Sequence, residues 1–304
     1  MKQEFYYPSQ DGVTEIHAIA WKPESDIKGI LQICHGMAEH MERYDEFAKY
    51  LCERGYYVIG HDHLGHGKSV QSSAEYGFFH ETSGNKIVIG DIHKLRKITE
   101  QKYPKIPYYI MGHSMGSFLV RQYIKMRGKG LAGVIIMGTG YQPAILLRIG
   151  KGLCRIIALF KGWHYKSKLV YKMAEGSYNK IYKSPKTEVD WVTGDAERLQ
   201  AYIDDPLCGF HFTVNAYYHM FTGMQTLTTT DGVENIPKNL PIFFVSGEED
   251  PVGDCGKGVK KVYEKYVNSG MEHVSLKLYP GDRHEILNET DRQQVYEDLY
   301  EWLK

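Results

Sequence analysis

The chain is expected to adopt an α/β fold: a mostly parallel sheet flanked by helices and interrupted once by a helical insertion. Three observations lead there. Short apolar runs, bounded by glycine or polar turn residues, alternate with amphipathic stretches of helical spacing. The runs are continuous rather than alternating, as strands buried on both faces are. The rhythm stops after Gly140 and resumes at Leu240.

The elements follow in order. EFYYPSQDGVTEIHAIAWKP contains two alternating runs around Gln10-Asp11-Gly12, a hairpin signature. GILQICHG, residues 29–36, reads as a buried strand ending at His-Gly. RYDEFAKYLCERG has apolar residues at helical spacing and stops on Gly55. YYVIGHD is a second buried strand, and NKIVIGDIHKLRKITEQKY a helix ending before Pro104. YYIM, residues 108–111, is a strand that passes through Gly112-His113-Ser114-Met115-Gly116 into a helix, and LAGVIIMGTG is the next strand. Residues 141–234 show no clean strand, only helix-like segments rich in Lys, Tyr, Phe and Met. Then come the strand in LPIFFVSGEEDP, a helix, the strand in VSLKLYPGDRHE, and a last helix over residues 291–303. The expected organisation is a core of residues 1–140 and 236–304 with a helical cap of residues 141–235. No internal repeat or low-complexity linker interrupts it.

Composition narrows the function. The chain has 304 residues, 42% hydrophobic and 24% charged, as a soluble globular protein does. Lys+Arg and Asp+Glu number 37 each, so nothing favours a nucleic-acid partner. Five cysteines are widely spaced and none pairs at metal-site spacing, so reduced thiols in a cytoplasmic protein are expected, with no metal and no cofactor. The N-terminal stretch lacks an apolar core of signal-peptide length, and no run reaches the ~18 apolar residues of a membrane span. The 24 tyrosines suit half-wet surfaces and pockets.

The chemistry is expected at Ser114. In an open parallel sheet ligands bind beyond the carboxyl ends of the strands, and Ser114 lies there. Gly112 and Gly116 permit a sharp turn that lifts the hydroxyl into the crevice at a helix N-terminus. This is the G-x-S-x-G elbow of a nucleophilic serine. A plain glycine turn with a serine cap would look the same in isolation. The serine needs a base oriented by an acid, in the chain order Ser, acid, His. His284 follows one strand, and Glu248, Glu249 and Asp250 follow another; Pro251 favours Asp250 by fixing the turn after it. The backbone N–H groups of Met115 and Met37 are the candidates for an oxyanion hole. HDHLGHGKS holds His61, His63 and His66 at H-x-H-x-x-H spacing, which suggests metal. Gly65 stands where an Asp usually precedes the last His of such a metal motif, so a hydrogen-bonded loop served by Asp62 and Ser69 is expected instead.

HGMAEHMERY, GHDHLGHGKS, GHSMGS, GEEDPVG and GDRHEILNE together resemble the monoacylglycerol lipase and lysophospholipase group of α/β-hydrolases. The resemblance covers residues 29–140 and 240–304. It implies a serine hydrolase of carboxylic esters with Ser114, Asp250 and His284 as triad and Met37 and Met115 as oxyanion donors. It also implies that Glu39 and Arg43 lie near the polar end of the pocket and contact substrate, or else form an ion pair that shapes the loop. The sequence departs from the animal enzymes at Leu287, where a glycerol-contacting histidine is expected. The expected partner is a small-molecule or lipid ester. Residues 142–168 mix Ile, Leu and Phe with Arg148, Lys151, Arg155 and Lys161. Such a segment suits a lid over the crevice or a transient contact with a membrane surface, placing the protein in the cytoplasm or peripheral to a membrane.

Overall fold

The computed structural model describes residues 1–229 and 232–304. An eight-stranded sheet runs through the molecule in the order β1-β2-β4-β3-β5-β6-β7-β8. Its strands are β1 (Lys2–Pro8), β2 (Glu15–Trp21), β3 (Gly29–Cys34), β4 (Tyr56–His61), β5 (Tyr108–His113), β6 (Gly133–Met137), β7 (Ile242–Gly247) and β8 (Val274–Tyr279). From β4 to β8 all neighbours are parallel. The N-terminal hairpin is the antiparallel part: β1 pairs with β2, and β2 with β4. Gly12, at φ 82°, and Asp11, whose Oδ1 accepts from the N–H groups of Val13 and Thr14, close that hairpin.

The helices are α1 (Asp45–Cys52), α2 (Gly84–Lys102), α3 (Met115–Arg127), α4 (Ala144–Lys161), α5 (Lys168–Ala174), α6 (Ala196–Asp204), α7 (Val214–Gln225), α8 (Lys257–Asn268) and α9 (Arg292–Leu303). The period-two pleat sends alternate residues of β3 to opposite faces. Leu31 and Ile33 join Phe47 and Leu51 of α1 and Val295 and Leu299 of α9 in one core cluster. Ile30 and Cys34 join α2, α3 and α8 in the other. Gln32 is fully buried among them, and its amide is satisfied by the Ile92 carbonyl at 3.0 Å and the Tyr108 hydroxyl at 2.6 Å.

Between β6 and β7 the chain leaves the sheet, and α4 to α7 form the helical insertion over the carboxyl ends of the strands. Ser167, Asp195 and Thr213 cap α5, α6 and α7 with side-chain oxygens. The expected boundary of the insertion takes in Thr230 and Asp231, which lie outside the described residues. Not all of the insertion is helical: residues 175–195 hold only a short 3₁₀ turn, Tyr178–Ile181, and otherwise run as turns and bends. Their Ser, Pro, Thr and Gly content explains this. Among the described residues no helix is long and apolar enough to cross a membrane.

The hairpin is tied to α2 by a buried carboxylate. Asp91 accepts from Ser9 Oγ at 2.8 Å and Gln10 N at 2.7 Å, while Tyr7 donates to the Asp91 carbonyl at 3.0 Å. Burial outweighs these bonds and pushes the Asp91 carboxyl up to about 7. A native carboxyl raised above its unfolded value adds stability that is complete below the unfolded pKa, near 3.8, and is lost as pH rises towards about 7. Thermal unfolding of Asp91→Asn should therefore lack the part of the Tm decline that the parent shows between pH 4 and pH 7.

Candidate active site

The turn from β5 into α3 is built around Ser114, whose backbone sits at φ 51°, ψ −118°. Such a conformation costs ~1–3 kcal/mol for a residue with a Cβ and persists only where its surroundings hold it. The two flanking glycines are needed for close approach. A Cβ on Gly116 would lie 2.0 Å from the Cys34 carbonyl oxygen at the end of β3. One on Gly112 would lie 2.3 Å from the Gly116 carbonyl oxygen. The first turn of α3 thus presses against the end of β3, and Ser114 is left at the floor of a cavity of about 240 Å³.

The sequence-predicted residues converge on that cavity. Ser114, Met37, Met115, Glu39 and His284 all line it. Asp250 is fully buried, and its Oδ1 lies 3.0 Å from His284 Nδ1. Asp250 also accepts from Val252 N at 2.9 Å and from Ser246 Oγ at 3.2 Å, which fixes the carboxylate. Glu248 and Glu249 are exposed. His284 Nε2 is buried and has no hydrogen-bond partner among the described residues. The Ser114 hydroxyl therefore makes no hydrogen bond to it. As the first residue of α3, Met115 has an N–H without an intrahelical acceptor. Met37 precedes Ala38, itself at φ 51°, in the loop that follows β3.

A charged network braces this loop. Glu39 Oε1 accepts from Gly36 N at 2.5 Å and from the Tyr44 hydroxyl at 2.9 Å, and lies 3.1 Å from His113 Nδ1. Arg43 reaches Glu39 Oε2 at 2.9 Å and grips Glu285 with two bonds of 2.6 Å. Burial opposes ionisation of Glu39, but the His113 bond and the Arg43 charge hold its carboxyl well below the usual range. Burial likewise works against the Arg43 cation, and Glu285 and Glu39 overcome it. The same holds for His113, where the Glu39 bond outweighs burial and raises the imidazole. Glu39 borders the cavity with its oxygens already engaged, whereas Arg43 stands behind it. Leu287 is buried in the core beside this network.

Several residues escaped sequence reasoning. His113 fills the variable position before the serine, and its Nε2 lies 3.3 Å from the His284 carbonyl oxygen. Trp191, from the irregular part of the insertion, packs its ring against His284 at 5.1 Å with a tilt of 46°, and its carbonyl accepts from His284 N at 3.3 Å. Glu175 and Tyr178 also line the cavity. Burial pushes Glu175 up to about 7, against the opposing bond from the Tyr217 hydroxyl at 2.6 Å. Only Glu285 had a signal in the sequence, its place beside His284.

His61, His63 and His66 are fully buried. His63 N donates to His35 Nε2 at 2.8 Å, and His63 Nδ1 lies 3.2 Å from His61 Nε2. Burial holds His61 near 3 and keeps it neutral at ordinary pH. Asp62 accepts from Met41 N and Lys68 N, both within 2.9 Å, and Ser69 Oγ donates to the Asp62 carbonyl at 2.7 Å. Through His35 this loop supports the end of β3 from the side opposite Ser114.

A mostly parallel sheet, a strained serine between the third parallel strand and its helix, and a histidine–carboxylate pair after the last strands define an α/β-hydrolase. The chain belongs to the Hydrolase_4 family, described as serine aminopeptidase, S33, which it matches over residues 25–291. It is similar to a thermostable carboxyl esterase from Bacillus coagulans, solved in complex with glycerol, at 32% identity and a TM-score of 0.91, covering 99% of this chain and 97% of the other. It is 24% identical to a monoacylglycerol lipase of Mycolicibacterium smegmatis over 99% of this chain and 97% of that protein. The human monoglyceride lipase is 25% identical over 93% of this chain and 84% of its own length.

Arg43 pairs with two buried carboxylates at once, and its loss strands both. Arg43→Ala should cost ~3 kcal/mol of stability in denaturant unfolding, whereas Glu248→Ala, at an exposed site, should cost under ~0.5 kcal/mol.

Proposed function

We propose that this protein is a serine hydrolase that cleaves carboxylic esters of lipid-like substrates through an acyl-enzyme on Ser114. The observation that carries this reading is the His284–Asp250 pair, whose free Nε2 belongs to the same cavity wall as the strained Ser114. The Ser114 oxygen attacks the ester carbonyl while His284 Nε2 takes its proton. Asp250 holds the Nδ1–H tautomer and stabilises the imidazolium. The Met37 and Met115 amides receive the developing oxyanion. His284 then returns the proton to the departing alcohol oxygen. In the second half, His284 deprotonates a water that attacks the acyl-enzyme, and the carboxylic acid leaves with Ser114 restored.

The cavity argues for an ester with an apolar acyl group. Phe118, Leu147, Val192, Met220, Phe221 and Met224 supply its wall. Each buried CH₂ contributes ~0.8 kcal/mol, so the wall favours longer chains. The similarity to a carboxyl esterase and to monoacylglycerol lipases supports the same substrate class. The family description also raises peptide substrates. An aminopeptidase must hold an ammonium group, yet the carboxylates of Glu39 and Glu285 are already engaged by Arg43, and burial favours the uncharged form of Glu175. The ester reading is therefore preferred.

We further propose that α4 rests on a lipid surface. Ile145, Ile149, Ile156, Leu159 and Phe160 are exposed, the last two above 80%. Arg148, Lys151, Arg155 and Lys161 lie along the same helix. An apolar face of this extent with basic residues suits an interfacial helix. Leu146 and Ile149 of the same helix are exposed and also line the cavity, which puts that surface next to the site.

Ser114→Ala should lower kcat on a p-nitrophenyl ester at least ~10⁴-fold with unchanged Tm, and a fluorophosphonate probe should label Ser114 alone. Labelling elsewhere, or retained turnover, would overturn the assignment. Across p-nitrophenyl esters of rising acyl length kcat/KM should climb, and aminoacyl p-nitroanilides should turn over far more slowly. Leu159→Asp with Phe160→Asp should reduce hydrolysis of vesicle-borne ester while leaving a short soluble ester unaffected.

A further inference from the structure

Outside the cavity, one more cluster brings chemically reactive side chains together. His40 ends the loop that follows β3, and Asp205 and Cys208 belong to the turn after α6. His40 Nε2 and Asp205 Oδ2 are 2.8 Å apart, and with Cys208 Sγ the three atoms lie within 4.8 Å of one another. His40 is buried, and Asp205 and Cys208 are half-buried.

We propose that His40, Asp205 and Cys208 form a Zn²⁺ site that clasps the helical insertion to the loop carrying the Met37 amide. An imidazole, a carboxylate and a thiol are the donors zinc takes, and the sulfur selects it over Mg²⁺ or Ca²⁺. Zinc bonds of ~2.0–2.3 Å in a tetrahedron separate ligand atoms by ~3.3–3.8 Å. The His40–Asp205 edge, at 2.8 Å, is shorter than that range and the edges to Cys208 Sγ are at most 4.8 Å, so small side-chain rotations bring all three into it. The backbone that presents the donors is fixed. Cys208 N donates to the Asp205 carbonyl at 3.0 Å, and Leu207 N to Asp205 Oδ1 at 2.8 Å, which leaves Oδ2 facing His40. Gly209 N donates to the Ala38 carbonyl at 2.9 Å and pins the turn to the loop. Arg43, in the same groove, is held by Glu39 and Glu285 and does not need Asp205. Asp205 also borders a solvent-open groove, so water can complete the coordination. On binding, the metal takes the place of the Cys208 thiol proton, which is released to solvent, and His40 binds as neutral imidazole.

The test uses the full chain, stripped of metal by chelation and titrated with Co²⁺. A thiolate-to-Co²⁺ charge-transfer band and strong visible bands of tetrahedral Co²⁺ should grow to one equivalent and vanish when Zn²⁺ is added. They should be missing in Cys208→Ser, weakened in His40→Gln, and intact in Cys255→Ser, which controls for the exposed thiol. Zn²⁺ at about 100 times its Kd should raise the parent Tm by about 5 °C and leave Cys208→Ser unmoved. Absence of the charge-transfer band in the parent, or its persistence in Cys208→Ser, would overturn the proposal and reduce the cluster to a His–Asp hydrogen bond beside an inert thiol. The parent spectrum decides the matter even should a variant fold poorly.

Discussion

The contact on which the site depends is the approach of Gly116 to the Cys34 carbonyl. It lets the first turn of α3 lie against the end of β3, where no side chain would fit. Ser114 is thereby forced into its strained conformation in the lining of the cavity, beside the loop of Met37. The Glu39–Arg43–Glu285 network then fixes that loop from behind. The strain at Ser114 is thus held by packing on one side and by buried charge on the other.

The buried charges do more than cancel. His113 contacts Glu39 with one ring nitrogen and the His284 carbonyl with the other. Glu285, next to His284, is gripped by Arg43. The loop of Met37 and the loop of His284 are therefore parts of one hydrogen-bonded unit, although they lie some 240 residues apart in the chain. A unit of this kind is costly to break, because removing any partner leaves the others buried without compensation.

Most of the fold was legible from the sequence because its signals are local. Apolar runs end on glycine, helices follow at their own period, and the G-x-S-x-G turn announces itself. The proposed acid was legible only as one of three neighbours, since Glu248, Glu249 and Asp250 share one turn; of the three, Asp250 is the buried one and bonds to His284. What was not legible is non-local or irregular. Trp191 sits in a stretch without periodicity, and nothing in sequence brings it to His284. His40 is 165 residues from Asp205, so spacing could not join them. The edge hairpin was legible as a hairpin but not as a partner of β4, because pairing across a sheet edge leaves no pattern in the intervening chain.

The imidazole loop is not supported by the core alone. His284 N and Glu285 N donate to the Trp191 and Val192 carbonyls, so two rungs of backbone bonding stitch it to the insertion. Lifting the insertion to admit a large substrate would have to unpick those rungs. Under the proposed mechanism, access and reactivity are then a single mechanical coordinate: a wide-open enzyme would also be a disarmed one, with the imidazole of His284 out of alignment.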